Sequence, residues 1–164
     1  MALPDGVRIR RGIPEDAEPM AQLHVDVWDD AYSGLVPQGI LDDRRERVAE
    51  RAERWRDIFA QEKPTWLAED GDGLVGFSGT GPARDNDIDL ELELYALYVR
   101  AAYYGTGVGY ALFEQAVGDR SCYLWVLAGN DRAIRFYERQ GFRLDGTQDE
   151  HDEGLHVRMV RAGT

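Results

Sequence analysis

The spacing of apolar residues changes several times along the chain, and each change predicts the boundary of a helix or a strand. Four apolar residues recur at intervals of three and four, which is typical of the buried face of a helix: Met20, Leu23, Val27 and Ala31. Pro14 suits the start of this helix, and Ser33-Gly34 suits its end. A sparser stripe of apolar residues, set among arginines and acids, predicts a second helical region from Ile40 to Gln61, with one face in solvent.

A period of two residues, typical of strands, recurs in other parts of the chain. Short runs of this kind predict strands at Val7 to Arg10, Trp66 to Glu69, Leu74 to Ser78, Cys122 to Ala128, Phe142 to Asp145 and Leu155 to Val160. The Asp-Gly-Asp-Gly sequence at residues 70–73 predicts a hairpin turn, and the last two strands suit an antiparallel pair. Acids alternate with apolar residues from 87 to 94, so we expect a central strand with one acidic face. That face carries Asp87, Asp89, Glu91 and Glu93.

The central strand leads into a glycine-rich turn. Gly105, Gly107 and Gly109 lie within five positions, and apolar residues at helical spacing follow them. A helix that begins here has unpaired backbone N–H groups and a positive dipole end, which together form an anion site that glycines keep open to a phosphate. The spacing differs from the dinucleotide fingerprint, and no lysine follows as in a Walker A loop. The glycines alone are equally typical of a tight strand-to-helix turn.

Two longer phrases are more specific than the glycines. The run LYVRAAYYGTGVG resembles the acetyl-CoA pyrophosphate loop of the GNAT superfamily of N-acetyltransferases. The run LWVLAGNDRAIRFYERQGFR, from Leu124 to Arg143, resembles the next strand and helix of that superfamily, where an Asn, a Phe-Tyr pair and a Gly-Phe pair recur. The chain departs from the pattern at Tyr104, where Gln or Arg is usual, and at Ala101, where Pro is common.

This resemblance implies an α/β (α+β) fold, the GNAT acyl-CoA N-acyltransferase fold, with a mixed, mostly antiparallel central sheet flanked by helices. We expect residues 1–164 to form one such domain with acetyl-CoA as cosubstrate. The residues expected at the acetyl-CoA site are Leu97, Tyr98, Val99, Tyr104, Gly105, Thr106, Gly107, Val108, Gly109, Asn130 and Phe136. Asn130 also suits the cap of the following helix, and Phe136 also suits the core.

The resemblance further implies direct attack of a primary amine on the acetyl group. Glu91 and Glu93 are the candidate bases for the incoming ammonium, and a solvated acidic face is the plain alternative. Tyr137 is the candidate acid for the departing CoA thiolate. A tyrosine has a pKa of about 10 and a thiol about 8.5, so a neutral tyrosine suits this role, although a buried structural tyrosine also fits the pattern.

The acceptor is expected near Trp28 and Tyr32, which lie four residues apart. The segment WDDAYSGLVPQGILDD resembles the part of GNAT proteins that lines the acceptor pocket, although both aromatic residues also suit simple packing. A small-molecule or peptide amine is therefore the expected partner, and homodimers are common among the proteins that the chain resembles. Two alternatives stay open: a catalytically inactive CoA-binding sensor or interaction module, and an acidic interaction protein that uses the fold as a scaffold.

The distribution of charge along the chain further limits the classes of partner that we expect. The formal net charge is -12, yet residues 99–143 carry a balance of +2 and the remaining residues a balance of -14. An acidic body repels nucleic acid, whereas a mildly positive loop region suits a polyphosphate cosubstrate. No apolar run approaches the roughly 20 residues of a membrane helix, and the first residues lack the apolar stretch of a signal peptide, so we expect a cytoplasmic protein without membrane contact.

Cysteine and histidine give no sign of metal or thiol chemistry. Cys122 is the single cysteine, so it suits a small core residue and forms no internal disulfide. His24, His151 and His156 are scattered without metal-ligand spacing. We therefore expect no metal in the site.

Overall fold

The computed structural model describes residues 3–61 and 64–162, in which seven strands form one sheet. The strands are β1 (Arg8–Arg11), β2 (Thr65–Asp70), β3 (Gly73–Pro82), β4 (Leu92–Val99), β5 (Cys122–Leu127), β6 (Arg143–His151) and β7 (Gly154–Arg161). The helices are α1 (Ala17–Tyr32), α2 (Gln38–Glu46), α3 (Val48–Phe59), α4 (Val108–Ala116) and α5 (Asp131–Arg139), with short 3-10 turns at Pro14–Asp16 and Ala101–Tyr103.

The sheet has the strand order β1-β2-β3-β4-β5-β7-β6, and every neighbouring pair except one is antiparallel. The exception is the parallel pair of β4 and β5, which is joined only at Glu93 with Tyr123 and at Leu94 with Leu124. Beyond Leu94 the two strands separate, and the second half of β4 has no β5 partner. This mixed, mostly antiparallel sheet confirms the predicted fold class.

Helices cover both faces of the sheet because apolar side chains alternate along the strands. On one face, Met20, Leu23 and Val27 of α1 pack with Phe59 of α3 against a strand surface that includes Phe77. The opposite face is covered by α4 and α5, whose apolar residues pack on Leu94, Leu124 and Met159. Neighbouring residues of β4 therefore contribute to different faces, which places the unpaired end of β4 between the two helix layers.

A bulge lies at the point where β4 leaves β5. The register with β3 passes from Thr80 opposite Leu94 to Gly79 opposite Ala96, so Tyr95 is the extra residue on β4. A bulge bends its strand and increases the local twist. It therefore helps to turn the end of β4 away from β5.

The prediction of a central strand over residues 87–94 is wrong for the first half of that range. The strand begins at Leu92, so Asp87, Asp89 and Glu91 precede it and do not share a strand face with Glu93. The segment before β4 folds back on itself, with the Ala83 N–H donating to the Glu91 carbonyl at 2.9 Å. Its aspartates bind the Arg158 guanidinium on β7, and this distant contact overrides the local alternation.

Two other boundaries also differ from the sequence prediction. The second helical region is two helices, α2 and α3, which are separated at Arg47. Strand β6 extends to His151, six residues beyond the strand predicted at Phe142 to Asp145, and it pairs with β7 as a hairpin. No helix in the described ranges is long and apolar enough to cross a membrane.

Candidate active site

The gap between β4 and β5 opens into a cleft that brings together most of the predicted site residues. We call it the β4–β5 cleft, and its walls come from β4, β5, α5, the end of α1 and the glycine turn. The predicted residues that line it are Tyr32, Leu97, Tyr98, Val99, Tyr104, Gly109, Asn130, Phe136 and Tyr137. Gly105 and Gly107 line an adjoining pocket at the glycine turn, which shares Val99, Tyr104, Gly109 and Phe136 with the cleft.

The glycine turn presents backbone donors to this adjoining pocket. Gly105 has a φ of 72° and Gly107 a φ of 96°, the left-handed region where residues with side chains are strained. Gly107 is the N-cap of α4, so the N–H groups of the first turn have no partner inside the helix. Thr106 donates its hydroxyl to the Tyr103 carbonyl at 2.5 Å, and Val108 is fully buried, so these two predicted residues shape the turn from within.

An arginine that the sequence analysis did not single out lies beside the turn. The guanidinium carbon of Arg132 lies 3.7 Å from the centre of the Tyr104 ring, which is a cation–π contact. Arg132 lines both the cleft and the adjoining pocket, and Arg139 lines the latter. The Tyr104 hydroxyl is buried and has no hydrogen-bond partner within residues 3–61 and 64–162. The signal for this feature in the sequence is the positive balance of residues 99–143.

Asn130 performs the capping role that its position predicts. Its side-chain oxygen accepts a hydrogen bond from the Ala133 N–H at 3.4 Å, at the start of α5. The residue is buried, yet it also lines the cleft. The cap therefore fixes the start of the helix that carries Arg132, Phe136 and Tyr137.

Tyr137 lies in the wall of the cleft with its ring packed against Phe136 and Phe142, at centroid distances of 5.5 Å and 5.7 Å. Burial raises the pKa of its phenol well above the ordinary value, so the hydroxyl keeps its proton throughout the neutral range. No group in the described part of the chain forms a hydrogen bond with that hydroxyl, which leaves its proton available to a ligand in the cleft.

The aromatic residues predicted for the acceptor lie on the α1 side of the cleft. The hydroxyls of Tyr32 and Tyr98 are hydrogen bonded at 2.7 Å, and burial raises the pKa of both. Trp28 does not line the cleft but packs edge-on against Tyr32, with ring centres 4.9 Å apart. Tyr32 thus contacts the cleft directly and Trp28 supports it from behind.

The two candidate bases occupy very different environments. Glu91 is exposed and lines a separate surface groove beside Trp66. Glu93 is 1% exposed and accepts hydrogen bonds from the Tyr123 hydroxyl at 2.8 Å and from the Arg84 guanidinium at 2.6 Å. Arg84 and Tyr123 were not among the predicted site residues, because only the folded sheet brings them to Glu93.

The remaining titratable candidates do not contribute a nucleophile or a metal site. Cys122 is fully buried, and burial raises the pKa of its thiol to about 11, so it behaves as a neutral core residue. His, Cys, Asp and Glu side chains form no group of three suited to a metal ion within residues 3–61 and 64–162.

The geometry fits a CoA thioester. The end of β4 offers backbone N–H and C=O groups that no β5 strand engages, which suit the amide groups of a pantetheine arm. The free donors of the α4 N-terminus and the guanidinium of Arg132 suit the phosphates. The buried Tyr104 hydroxyl, which has no partner within residues 3–61 and 64–162, suits a hydrogen bond to such a ligand.

Comparisons with known proteins agree with this geometry. A family model described as an acetyltransferase (GNAT) domain matches residues 61–144. The chain is 28% identical over 164 residues to the uncharacterized N-acetyltransferase YuaI of Bacillus subtilis, covering 96% of this chain and 91% of that protein. It is 26% identical over 152 residues to the probable N-acetyltransferase Rv2775 of Mycobacterium tuberculosis, covering 87% of this chain and 83% of that protein.

Solved structures share the fold. The PaiA N-acetyltransferase of Thermoplasma acidophilum, in complex with coenzyme A, aligns with a TM-score of 0.72 at 19% identity, covering 96% of this chain and 99% of that chain. The sequence match, the strand order and the glycine turn at the open end of β4 all point to one family. The family model also matches more than half of the residues of this chain. The chain therefore belongs to the GNAT acetyltransferase family.

Proposed function

We propose that the protein is an N-acetyltransferase that moves the acetyl group of acetyl-CoA to a primary amine. The observation that carries this proposal is the gap between β4 and β5, which ends on a glycine turn and has Tyr137 in its wall. Acetyl-CoA, when bound, supplies an activated thioester. In this proposal the amine nitrogen bonds to the acetyl carbon to give a tetrahedral centre, which collapses as the bond between that carbon and sulfur breaks, without a covalent enzyme intermediate.

The residues of the cleft have separate tasks in this transfer. The backbone of Leu97 to Val99 pairs with the pantetheine arm, and one of its N–H groups stabilises the negative charge that develops on the acetyl oxygen. Tyr137 donates its proton to the departing thiolate. The proton that the amine loses passes to Glu91 or Glu93. Neither carboxylate lines the cleft, but Glu93 lies on β4, the strand that forms its wall, and it must exchange a bond to Arg84 or Tyr123 to take part.

The function is tested first by binding and then by turnover. A thermal-shift titration compares acetyl-CoA, CoA and ATP, and ligand at about 100 times its dissociation constant adds roughly 2.7 kcal/mol to the unfolding free energy. For a domain of this size we expect a rise in melting temperature of about 5 to 10 °C with both CoA compounds and none with ATP. Release of free CoA in the presence of a panel of primary amines then reports transfer.

A CoA-binding module without catalysis is the second candidate. The observation that favours it is the engagement of Glu93 by Arg84 and Tyr123, which occupies a candidate base. Such a module binds acetyl-CoA but releases no CoA when amines are added. The same two measurements therefore separate the candidates, and an absence of any thermal shift contradicts both.

In this proposal Arg132 replaces the phosphate-binding side chain of the Gln or Arg that is usual at the position of Tyr104. Replacing Arg132 with glutamine should weaken CoA binding about 10-fold, because a charge-assisted hydrogen bond contributes roughly 1.5 kcal/mol. Isothermal titration calorimetry with CoA measures the change. Arg135→Gln is the matched control, since Arg135 lies on the same helix and lines neither pocket.

A second variant sharpens this prediction. Tyr104→Arg in the Arg132→Gln background returns a guanidinium to the glycine turn, so we expect it to recover most of the lost affinity. Equal CoA affinities for the wild type and Arg132→Gln, or an equal loss in Arg135→Gln, would show that Arg132 has no specific role.

A further inference from the structure

The six arginines of the segment that contains α2 and α3 fall into two groups of three. Arg45, Arg47 and Arg56 form ion pairs with carboxylates of α1, α2 and α3. The other three are Arg44, Arg51 and Arg54. Across residues 3–61 and 64–162, no carboxylate lies within 4.0 Å of any of their guanidinium nitrogens. Unpaired arginines are unexpected here, because the segment is rich in acids and the chain has a net charge of -12.

Arg44, one of the three unpaired arginines, contacts the half-buried His24, and the positive charges of Arg51 and Arg54 also act on that ring. Arg44 Nη2 lies 3.2 Å from His24 Nε2. Burial, with the positive charges of Arg44, Arg51 and Arg54, lowers the pKa of His24 to about 3. His24 is therefore neutral at physiological pH and offsets none of the positive charge. The Nε atoms of Arg44 and Arg51 are buried and have no hydrogen-bond partner in the described ranges, so the group lacks a counter-charge and these two nitrogens lack acceptors.

Arg44 contacts Trp28, the residue that supports the acceptor side of the cleft from behind. The guanidinium carbon of Arg44 lies 3.3 Å from the centre of the Trp28 ring. Trp28 packs on Tyr32, and the Tyr32 hydroxyl bonds Tyr98, so two aromatic contacts lead from Arg44 to the β4–β5 cleft. The charge of Glu153, in the turn between β6 and β7, also acts on Arg44, but the two side chains do not form an ion pair.

We propose that Arg44, Arg51 and Arg54 form an anion-binding subsite for the acceptor, so that the acceptor is an amine that also carries a carboxylate. The proposal rests on the proposed transferase function, and it places the amine in the cleft and the carboxylate against Arg44. A planar guanidinium matches a planar carboxylate in two parallel hydrogen bonds. A single negative charge also costs less to transfer to a partly buried guanidinium such as that of Arg44 than the double charge of a phosphate. Amino acids and peptides with a free carboxyl group are the class that fits.

The test is a binding experiment that does not need turnover. N-acetylamino acids stand for the products of transfer, and each is compared with its C-terminal amide by calorimetry, with and without CoA. We expect at least one acid to bind 10- to 100-fold more tightly than its amide, as for a charge-assisted pair. In Arg44→Gln the acid and the amide should bind within about twofold of each other, while the affinity for CoA is unchanged.

Two further variants complete the design. Arg47→Gln removes an exposed, paired arginine of the same segment and should keep the preference for the acid. Arg51→Gln should reduce the preference, and it replaces Arg44→Gln as the decisive variant if the latter does not fold. The proposal is overturned if none of the N-acetylamino acids binds, whatever its side chain, or if the acids and their amides bind equally. It is also overturned if the preference for the acid survives in Arg44→Gln.

Failure of the subsite and failure of the transferase function give different results. Equal release of CoA with amino acids and with amino acid amides keeps the transferase and overturns the subsite. Carboxylate-dependent binding without CoA release, for any amine, keeps the subsite and overturns the transferase.

Discussion

Replacing Tyr137 with phenylalanine should lower kcat about 100-fold or more, while the dissociation constant for acetyl-CoA stays within about twofold of the wild-type value. A positioned general acid typically contributes a factor of about 100 to 10,000 to the rate. The substitution removes only the hydroxyl, and nothing in the described part of the chain forms a hydrogen bond with that group. The fold should therefore be retained, and the loss should fall on the chemical step.

The pH dependence of the reaction provides an independent check on this role. Burial raises the pKa of Tyr137 above its ordinary value of about 10, so the residue stays protonated from neutral pH to at least pH 10. Loss of its proton therefore causes no fall in kcat within that range. The ordinary tyrosine pKa would instead give a decline in kcat around pH 10.

Tyr32→Phe is the matched comparison for Tyr137→Phe. Tyr32 is a second phenol of the cleft wall, but its hydroxyl is already bonded to Tyr98. We expect it to change the KM for the acceptor and to lower kcat less than about fivefold. A kcat for Tyr137→Phe equal to that of the wild type would remove Tyr137 from the mechanism and favour the CoA-binding module.

The glycine turn and the helix cap could be predicted because both depend on a few neighbouring residues. Glycines at 105 and 107 are needed where φ is positive, and Asn130 is needed where a helix begins, so each leaves a mark in a few neighbouring residues. Leu97, Tyr98 and Val99 follow from the family resemblance, and the strand pairing leaves them without a β5 partner. The turn, the cap and the cleft wall were therefore predictable.

Long-range electrostatic contacts explain what the sequence did not reveal. Alternating acidic and apolar residues suit a strand, but the same pattern also suits a loop whose aspartates bind a distant arginine. Asp85 and Asp87 lie more than 70 positions from Arg158 in the sequence, and nothing near them signals that contact. The unpaired set around Arg44 is likewise visible only once ion pairs have formed elsewhere on α2 and α3.

Removal of the Arg158 side chain should destabilise the fold strongly. It lies on β7 with 5% of its side chain exposed, and its guanidinium binds the carboxylates of Asp85, Asp87 and Asp145 at 2.9, 2.8 and 2.7 Å. These contacts tie the segment before β4 to the hairpin of β6 and β7. That segment also carries Arg84, which covers Glu93, so one arginine holds the surroundings of a candidate base in place.

Arg158→Met keeps the apolar length of the side chain and leaves three carboxylates close together without a counter-charge. Removing one partner of a buried ion pair costs about 3 to 5 kcal/mol, and partial solvent access to the aspartates moves the expected loss to about 3 kcal/mol. The melting temperature should then fall by about 6 to 12 °C. Arg47→Met, which removes an arginine with 58% of its side chain exposed, should leave the melting temperature nearly unchanged, because exposed ion pairs contribute little to stability.

The pH dependence distinguishes lost ion pairs from lost packing. The Arg158 guanidinium lowers the pKa of Asp87, and hydrogen bonds from the Thr147 N–H and from Arg158 lower that of Asp145 against the opposing effect of burial. Carboxyl groups with a lowered pKa stabilise the folded state above the ordinary pKa of about 3.9, and this stabilisation is lost as the pH falls through their folded values. The stability gap between wild type and Arg158→Met, measured by urea unfolding, should therefore be full at pH 7 and narrow below about pH 4. A gap that stays constant with pH would assign the loss to packing.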